Sequence, residues 1–185
     1  MKPNLIVILG PTASGKTALA ARLAKDIGSE IISADSRQVY RGMNLGTGKD
    51  LGEYVVDGVH VPYHLIDIII PDEDFSVFEY QKRFYRCFSE LSGRKILPVM
   101  VGGTGLYIES VIQGYEMCNV PENMSLRQEL SGQDTECLSH RFLSKHPVVH
   151  NTTDLLDRSR LIRAIEIAEY TERHPPLVSL PRIEP

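Results

Sequence analysis

The feature that most constrains this chain is a short apolar run, LIVIL at 5 to 9, that breaks directly into the turn GPTASGKT at 10 to 17. An aliphatic run this short, bounded by turn residues, predicts a strand buried on both faces of a parallel sheet. After it, Leu19, Leu23 and Ile27 fall at four-residue spacing with Gly28 behind them, which predicts a helix over 16–27 that ends at a glycine. Strand, glycine-rich turn and helix in that order are what a phosphate-binding loop requires. The turn fits G-x-x-x-x-G-K-[ST] through Gly10, Pro11, Thr12, Ala13, Ser14, Gly15, Lys16 and Thr17. Backbone amides and the helix N-terminus would face phosphate oxygens, Lys16 would add a mobile cation, and Thr17 could ligate Mg²⁺. Three chemistries are compatible with such a loop: splitting a nucleotide, passing on its phosphate, or holding a diphosphate while another group leaves it.

Length and charge narrow the partners. A chain of 185 residues suits one α/β domain with a small appendage. The net charge of −4 gives no overall basic footprint, so nucleic-acid contact has to come from a local patch. Cys87, Cys118 and Cys137 are odd in number and form no C-x-x-C pair, against a disulfide framework or a zinc site. The five-residue apolar run near the start fits neither a signal peptide nor a membrane span, and the expected location is cytoplasmic.

Further along, EIISA at 30 to 34 predicts a second strand running into Asp35, Ser36, Arg37 and Gln38. Residues 41–63 hold five glycines and little periodicity and are expected to be loop. YHLIDIII at 63 to 70 is either an edge strand or a connector. Ser76 and Glu79 form a capping box before a helix with Val77, Phe84, Phe88 and Leu91 on its apolar side. ILPVMV at 96 to 101 predicts a third strand leading into GGTG at 102 to 105 and another helix. The alternation predicts a P-loop NTPase-like, doubly wound parallel sheet. The expected organisation is an α/β core over 1–113, a small helical insertion over 114–153, a helix returning to the core over 154–174, and an extended tail over 175–185.

Ligands of an open parallel sheet sit beyond the carboxyl ends of its strands, and here all three ends carry chemistry. Asp35, at the second, is either an Asx turn or cap, or a functional carboxylate. GGTG, at the third, is either a tight turn or a place where backbone and the Thr104 hydroxyl approach a ligand. No Walker B carboxylate follows ILPVMV, which disfavours hydrolysis. Asp157, Arg160, Arg163 and Glu166 recur every third residue and form either a solvated face of ion pairs or an arginine clamp for phosphate or nucleic acid.

In order and spacing, GPTASGKT, ISADSRQVYRGMNLGTGK (32 to 49), HLID (64 to 67), GGTGLY (102 to 107) and DRSRLIRAIE (157 to 166) resemble the tRNA dimethylallyltransferases, also called tRNA isopentenyltransferases. The resemblance covers nearly the whole chain to about residue 170. It implies transfer of a dimethylallyl group from dimethylallyl diphosphate to the exocyclic amine of the adenosine beside a tRNA anticodon, with Mg²⁺. It implies catalytic roles for Asp35, Lys16, Thr17 and Arg163. It also implies contact with the anticodon stem-loop by Asp35, Ser36, Arg37, Gln38, Thr104, Ser159, Arg160, Leu161, Ile162 and Arg163. A free adenine nucleotide as acceptor, a small-molecule P-loop kinase using ATP, and a non-catalytic phosphate- or RNA-binding fragment are the competing readings. Family members usually continue well past the position of Pro185. The chain as given is therefore expected to bind diphosphate, to prenylate tRNA poorly or not at all, and to self-associate or be marginally stable.

Overall fold

The computed structural model describes residues 3–145, 155–174 and 180–185. Its first strand, β1 (Ile6–Leu9), leads through the glycine turn into α1 (Lys16–Ile27). Then follow β2 (Ile31–Ser33), a single 3₁₀ turn at Leu51–Tyr54, and the hairpin β3 (Val55–Val56) and β4 (Val59–His60). After β5 (Tyr63–His64) come α2 (Val77–Gly93), β6 (Val99–Gly102) and α3 (Gly105–Ile112). The last helices are α4 (Met124–Ser131), α5 (Thr135–Lys145) and α6 (Arg158–Arg173). They group into two compact units, Met1–Tyr115 with Ser179–Pro185, and Glu116–Val178.

The first unit is the α/β sheet, four parallel strands in the order β1-β6-β2-β5. Alternation along the strands sorts its core into two layers. Ile32 and Met100 pack with Tyr80, Phe84 and Leu91 of α2 and with Tyr107 and Val111 of α3. Their neighbours Ile31, Val99 and Val101 pack with Ala20, Ala21 and Ala24 of α1. A side-chain period of two thus gives one strand two buried faces, as the doubly wound reading requires.

Two sequence expectations are corrected here. β1 is an edge strand rather than a fully enclosed one: among the described residues it pairs only with β6, its residues Ile6, Val7 and Ile8 are half-buried, and Leu9 is exposed. On α1 the buried face is Ala20, Ala21 and Ala24, while Leu19 and Ile27 are 60% and 46% exposed. Alanine lets the helix backbone approach the sheet closely, so the longer side chains are turned outward. The stretch 63–70 is both of its alternatives in turn. Tyr63 and His64 form the edge strand β5, and the rest runs on as a connector bridged at Tyr40 and Ile69. The predicted cap of α2 is present, with the Ser76 hydroxyl accepting the Glu79 N–H.

The second unit is helical. Leu126, Leu130 and Leu138 pack with Leu161 and Ile165 of α6. That helix therefore belongs with α4 and α5, rather than with the sheet as expected for 154–174. Two segments of the expected organisation, 146–154 and 175–179, lie outside the described residues. The final residues belong to the sheet unit: Asn4 N–H donates to the Glu184 carbonyl (2.8 Å), Glu184 N–H donates to Asn4 Oδ1 (2.7 Å), and Ile183 is buried in the core beside Leu5 and Phe88.

Candidate active site

The turn after β1 is shaped by two left-handed residues, Ala13 (φ 62°) and Gly15 (φ 78°). Gly15 is the N-cap of α1 and has open space around the position of a Cβ, so its glycine is required by backbone conformation rather than crowding. The Pro11 carbonyl accepts from the Ser14 hydroxyl (2.8 Å) and from Lys16 Nζ (3.0 Å). These bonds hold the Lys16 ammonium back over its own loop, in the wall of a cavity of about 370 Å³. Thr12, Ala13, Ser14, Gly15, Lys16 and Thr17 line that cavity. Of the eight loop residues expected to bind phosphate, Gly10 and Pro11 are not in its lining, and Pro11 supplies the carbonyl just described.

Asp35 lines the same cavity from the end of β2. Its Oδ1 accepts the Arg37 N–H (2.9 Å), so the Asx turn is real. The turn and a chemical role are compatible, because a carboxylate has about four acceptor positions and this bond uses one. Two phenols feel the charge of Asp35. Burial pushes the Tyr107 hydroxyl up to about 12, with Tyr40 and Asp35 adding to the effect. Tyr54 is likewise driven well above its ordinary value, chiefly by burial. Both phenols are neutral at physiological pH and neither competes with Asp35 as a base.

The GGTG turn after β6 is packed between the other two strand ends. A Cβ on Gly102 would lie 2.1 Å from the Ala34 carbonyl oxygen, and one on Gly103 would meet the Gly10 carbonyl at 3.4 Å. Gly102 is thus a close-approach glycine, required by the Ala34 backbone beside it. Thr104 N–H donates to the Ala34 carbonyl (3.1 Å), and Thr104 Oγ1 accepts the Ser36 N–H (2.9 Å) while its own proton goes to Ser36 Oγ (3.2 Å).

The opposite wall of the cavity was not legible as a site from residue chemistry. It is the loop Asn44 to Asp50, with Glu53. The signal available in the sequence was its glycine spacing, since Gly42, Gly46 and Gly48 all adopt φ between 66° and 74°. Buried polar residues fasten it. Gln38 is buried, and its Nε2 donates to the Gly48 carbonyl (3.2 Å), so it braces this wall. Lys49, its side chain 1% exposed, donates to the Tyr40 carbonyl (2.7 Å) and Asp67 Oδ1 (2.6 Å). Arg37 is exposed and Ser36 half-buried beside Asp35.

The residues expected from α6 lie in the helical unit. Asp157 caps the helix, accepting the N–H groups of Ser159 and Arg160. Ser159 and Arg160 are exposed on its first turn. Leu161 is 1% exposed and Ile162 packs against the same core, so both side chains are occupied in packing. Arg163 pairs with Glu166 and donates to the Val120 carbonyl (2.8 Å). Glu166 is buried rather than on a solvated face. Burial alone would raise its pKa, but two bonds from Arg127, the Asn123 N–H and Arg163 outweigh that and hold the carboxyl at about 2.

The chain is 61% identical to tRNA dimethylallyltransferase 1 of Syntrophus aciditrophicus over 187 aligned positions, covering 100% of this chain and 61% of that protein. It is 56% identical to the protein of the same name from Geotalea uraniireducens, covering 60% of it. The chain thus spans about six-tenths of the length of these relatives. Among solved structures, the full-length tRNA isopentenylpyrophosphate transferase of Bacillus halodurans is 37% identical with a TM-score of 0.59, 98% of this chain matching 58% of that one. A eukaryotic dimethylallyltransferase acting on tRNA shares the fold at 21% identity and a TM-score of 0.72, over 98% of this chain and 46% of that one. A family model described as IPP transferase matches residues 38–180. Because that match runs over most of the chain, from the buried Gln38 brace to the segment that packs back on the sheet unit, this protein belongs to the IPP transferase family.

Proposed function

We propose that this chain carries the chemical centre of a tRNA dimethylallyltransferase, in which the phosphate loop holds the diphosphate of dimethylallyl diphosphate. The observation that carries this reading is that the phosphate loop and Asp35 share one cavity while β6 ends at Gly102 and is followed by Gly103, with no carboxylate to organise a hydrolytic water. The exocyclic amine of adenosine is a poor nucleophile. As its nitrogen attacks the allylic carbon, the carbon–oxygen bond to diphosphate breaks, the diphosphate keeps the electron pair, and Asp35 accepts the amine proton. Lys16 and the loop amides bind the charge that grows on the leaving oxygen, where preorganised donors are most effective.

The residues fit Mg²⁺. Hydroxyl and carboxylate oxygens are the hard donors it takes, and Thr17 shares the cavity with Asp35, Asp50 and Glu53. Among the described residues no group of three or more His, Cys, Asp or Glu could hold a metal ion by itself, so Thr17 and diphosphate oxygens would hold the ion. When bound, it neutralises charge on the leaving group. For the acceptor, Arg37 is the exposed cation next to Asp35, and Ser159, Arg160 and the half-buried Arg163 are the α6 side chains we assign to RNA contact. None of the helices among the described residues is long and apolar enough to cross a membrane, in keeping with an aqueous RNA acceptor.

The test is incubation of the chain with labelled dimethylallyl diphosphate and an adenosine-bearing anticodon stem-loop, AMP, or no acceptor, with a parallel assay using labelled ATP. Label in the stem-loop is expected at a low level, because the chain spans about six-tenths of its relatives' length. Label in AMP alone would move the acceptor to a free nucleotide, phosphoryl transfer from ATP would favour a kinase, and binding with no transfer would reduce the chain to a phosphate-binding unit.

A further inference from the structure

Thr104 brackets Asp35. Three of its bonds reach the two residues on either side of that carboxylate. Its N–H holds the carbonyl of Ala34, its Oγ1 takes the N–H of Ser36, and its only hydroxyl proton is given to Ser36 Oγ. The turn lies close against the end of β2, since a Cβ on Gly102 would meet the Ala34 carbonyl oxygen at 2.1 Å. Asp35 sits between these two anchored neighbours, and its own Oδ1 accepts the N–H of Arg37, two residues on. The backbone on both sides of the carboxylate is thereby fixed to a strand end 68 positions away in sequence.

We propose that Thr104 is a positioning residue: it sets the direction of the Asp35 carboxylate for proton acceptance. This rests on the transfer reading above for its chemistry, though the bracket itself is geometric. The resemblance places Thr104 near RNA. Its hydroxyl proton is committed to Ser36, so its contribution is made through Asp35 and not by donating to the acceptor. A misplacement of about 1 Å at a reacting group lowers rates by up to roughly 10²-fold, so losing the hydroxyl reduces turnover without greatly changing how either substrate binds.

The experiment uses Thr104→Val, which keeps shape and loses the hydroxyl, Thr104→Ser, which keeps the hydroxyl, and Thr104→Ala as a second hydroxyl-free variant should the valine protein not fold. Transfer to the stem-loop and amide hydrogen exchange are measured on the same full chains. In the valine or alanine protein, kcat is expected to fall about 10- to 10²-fold with KM for both substrates close to that of the wild type. Exchange at Ser36 and Arg37 is expected to rise about five- to tenfold, equivalent to one net hydrogen bond, while Thr104→Ser restores both. A raised KM for the stem-loop with kcat intact would make Thr104 an RNA contact and overturn the proposal, as would wild-type kcat. If the unaltered chain transfers nothing, the transfer reading fails by itself. The exchange data then decide the bracket: faster Ser36 and Arg37 exchange reversed by serine upholds it, and unchanged exchange removes it.

Discussion

Asp35 combines a local structural bond with a place in the cavity, and one substitution separates the two. Asn keeps a side-chain oxygen that can accept the Arg37 N–H, so Asp35→Asn preserves the Asx turn while removing the basic carboxylate. The expected outcome is a fall in kcat of ~10²–10⁴, the usual contribution of a positioned base, with diphosphate affinity nearly unchanged. Steady-state transfer with a titration of inorganic diphosphate checks it, and near-normal turnover would leave Asp35 as a turn residue only. Gly102 offers a contrast, because its role is steric. A methyl group there would sit 2.1 Å from a backbone carbonyl, and neither atom is at the end of a flexible side chain that could move aside. Gly102→Ala is expected to destabilise the sheet unit by about 1–3 kcal/mol, the range for overpacking, read as a lower urea midpoint with an unchanged slope. An unchanged midpoint would show that the β6 turn can shift.

At the scale of elements, what was legible depended on how far apart the deciding residues lie. The turn at 10 to 17 with its flanking strand and helix, and the Ser76 cap of α2, are written in consecutive residues, and both were readable. The edge position of β1 was not, because a run of aliphatic residues looks the same whether one neighbouring strand or two will pair with it. The outward Leu19 and Ile27 misled for a related reason: hydrophobic spacing marks a helix face, but the sheet selected the small face at Ala20, Ala21 and Ala24. The far wall of the cavity hung on Gln38 and Lys49, ordinary polar residues whose partners only the fold brings together. The stripe on α6 resolved into separate parts, with Asp157 as a cap and Glu166 as a buried acceptor for Arg127 and Arg163. From that last arrangement comes a pH prediction. The folded Glu166 carboxyl is held at about 2, below its ordinary 4.5. Its stabilisation is therefore complete above about pH 4.5 and is lost as pH falls toward about 2. Amide exchange along α6 is expected to accelerate across that window in the wild type. In Glu166→Gln the acceleration is expected to be weaker, from a helical unit already less protected at neutral pH. Equal pH dependence in the two proteins would mean that other carboxylates govern the acid response.

At the scale of the whole molecule, the division of labour between the two units has a measurable consequence. Every residue lining the cavity at the glycine turn lies in the sheet unit, between Thr12 and Glu53. Both walls are braced from within the sheet unit, the loop by Lys16 on Pro11, the far wall by Gln38 and Lys49. The α4, α5 and α6 helices form a core of their own around Leu130, Leu138, Leu161 and Ile165. A ligand stabilises what it binds by RT ln(1 + [L]/Kd), about 2.7 kcal/mol at a hundredfold excess over Kd, and that gain goes to the conformations that keep the cavity formed. Inorganic diphosphate with Mg²⁺ is therefore expected to slow exchange in peptides spanning residues 10–53 and the β6 turn, while peptides of α4, α5 and α6 keep their rates. Lys16→Ala is the control, because it removes the cation held over the loop without touching the core, and it should abolish the protection while leaving the apo exchange pattern in place. Protection that spread equally to α6 would contradict this partition and put the helical unit in contact with the diphosphate, with Arg163 as the first residue to substitute.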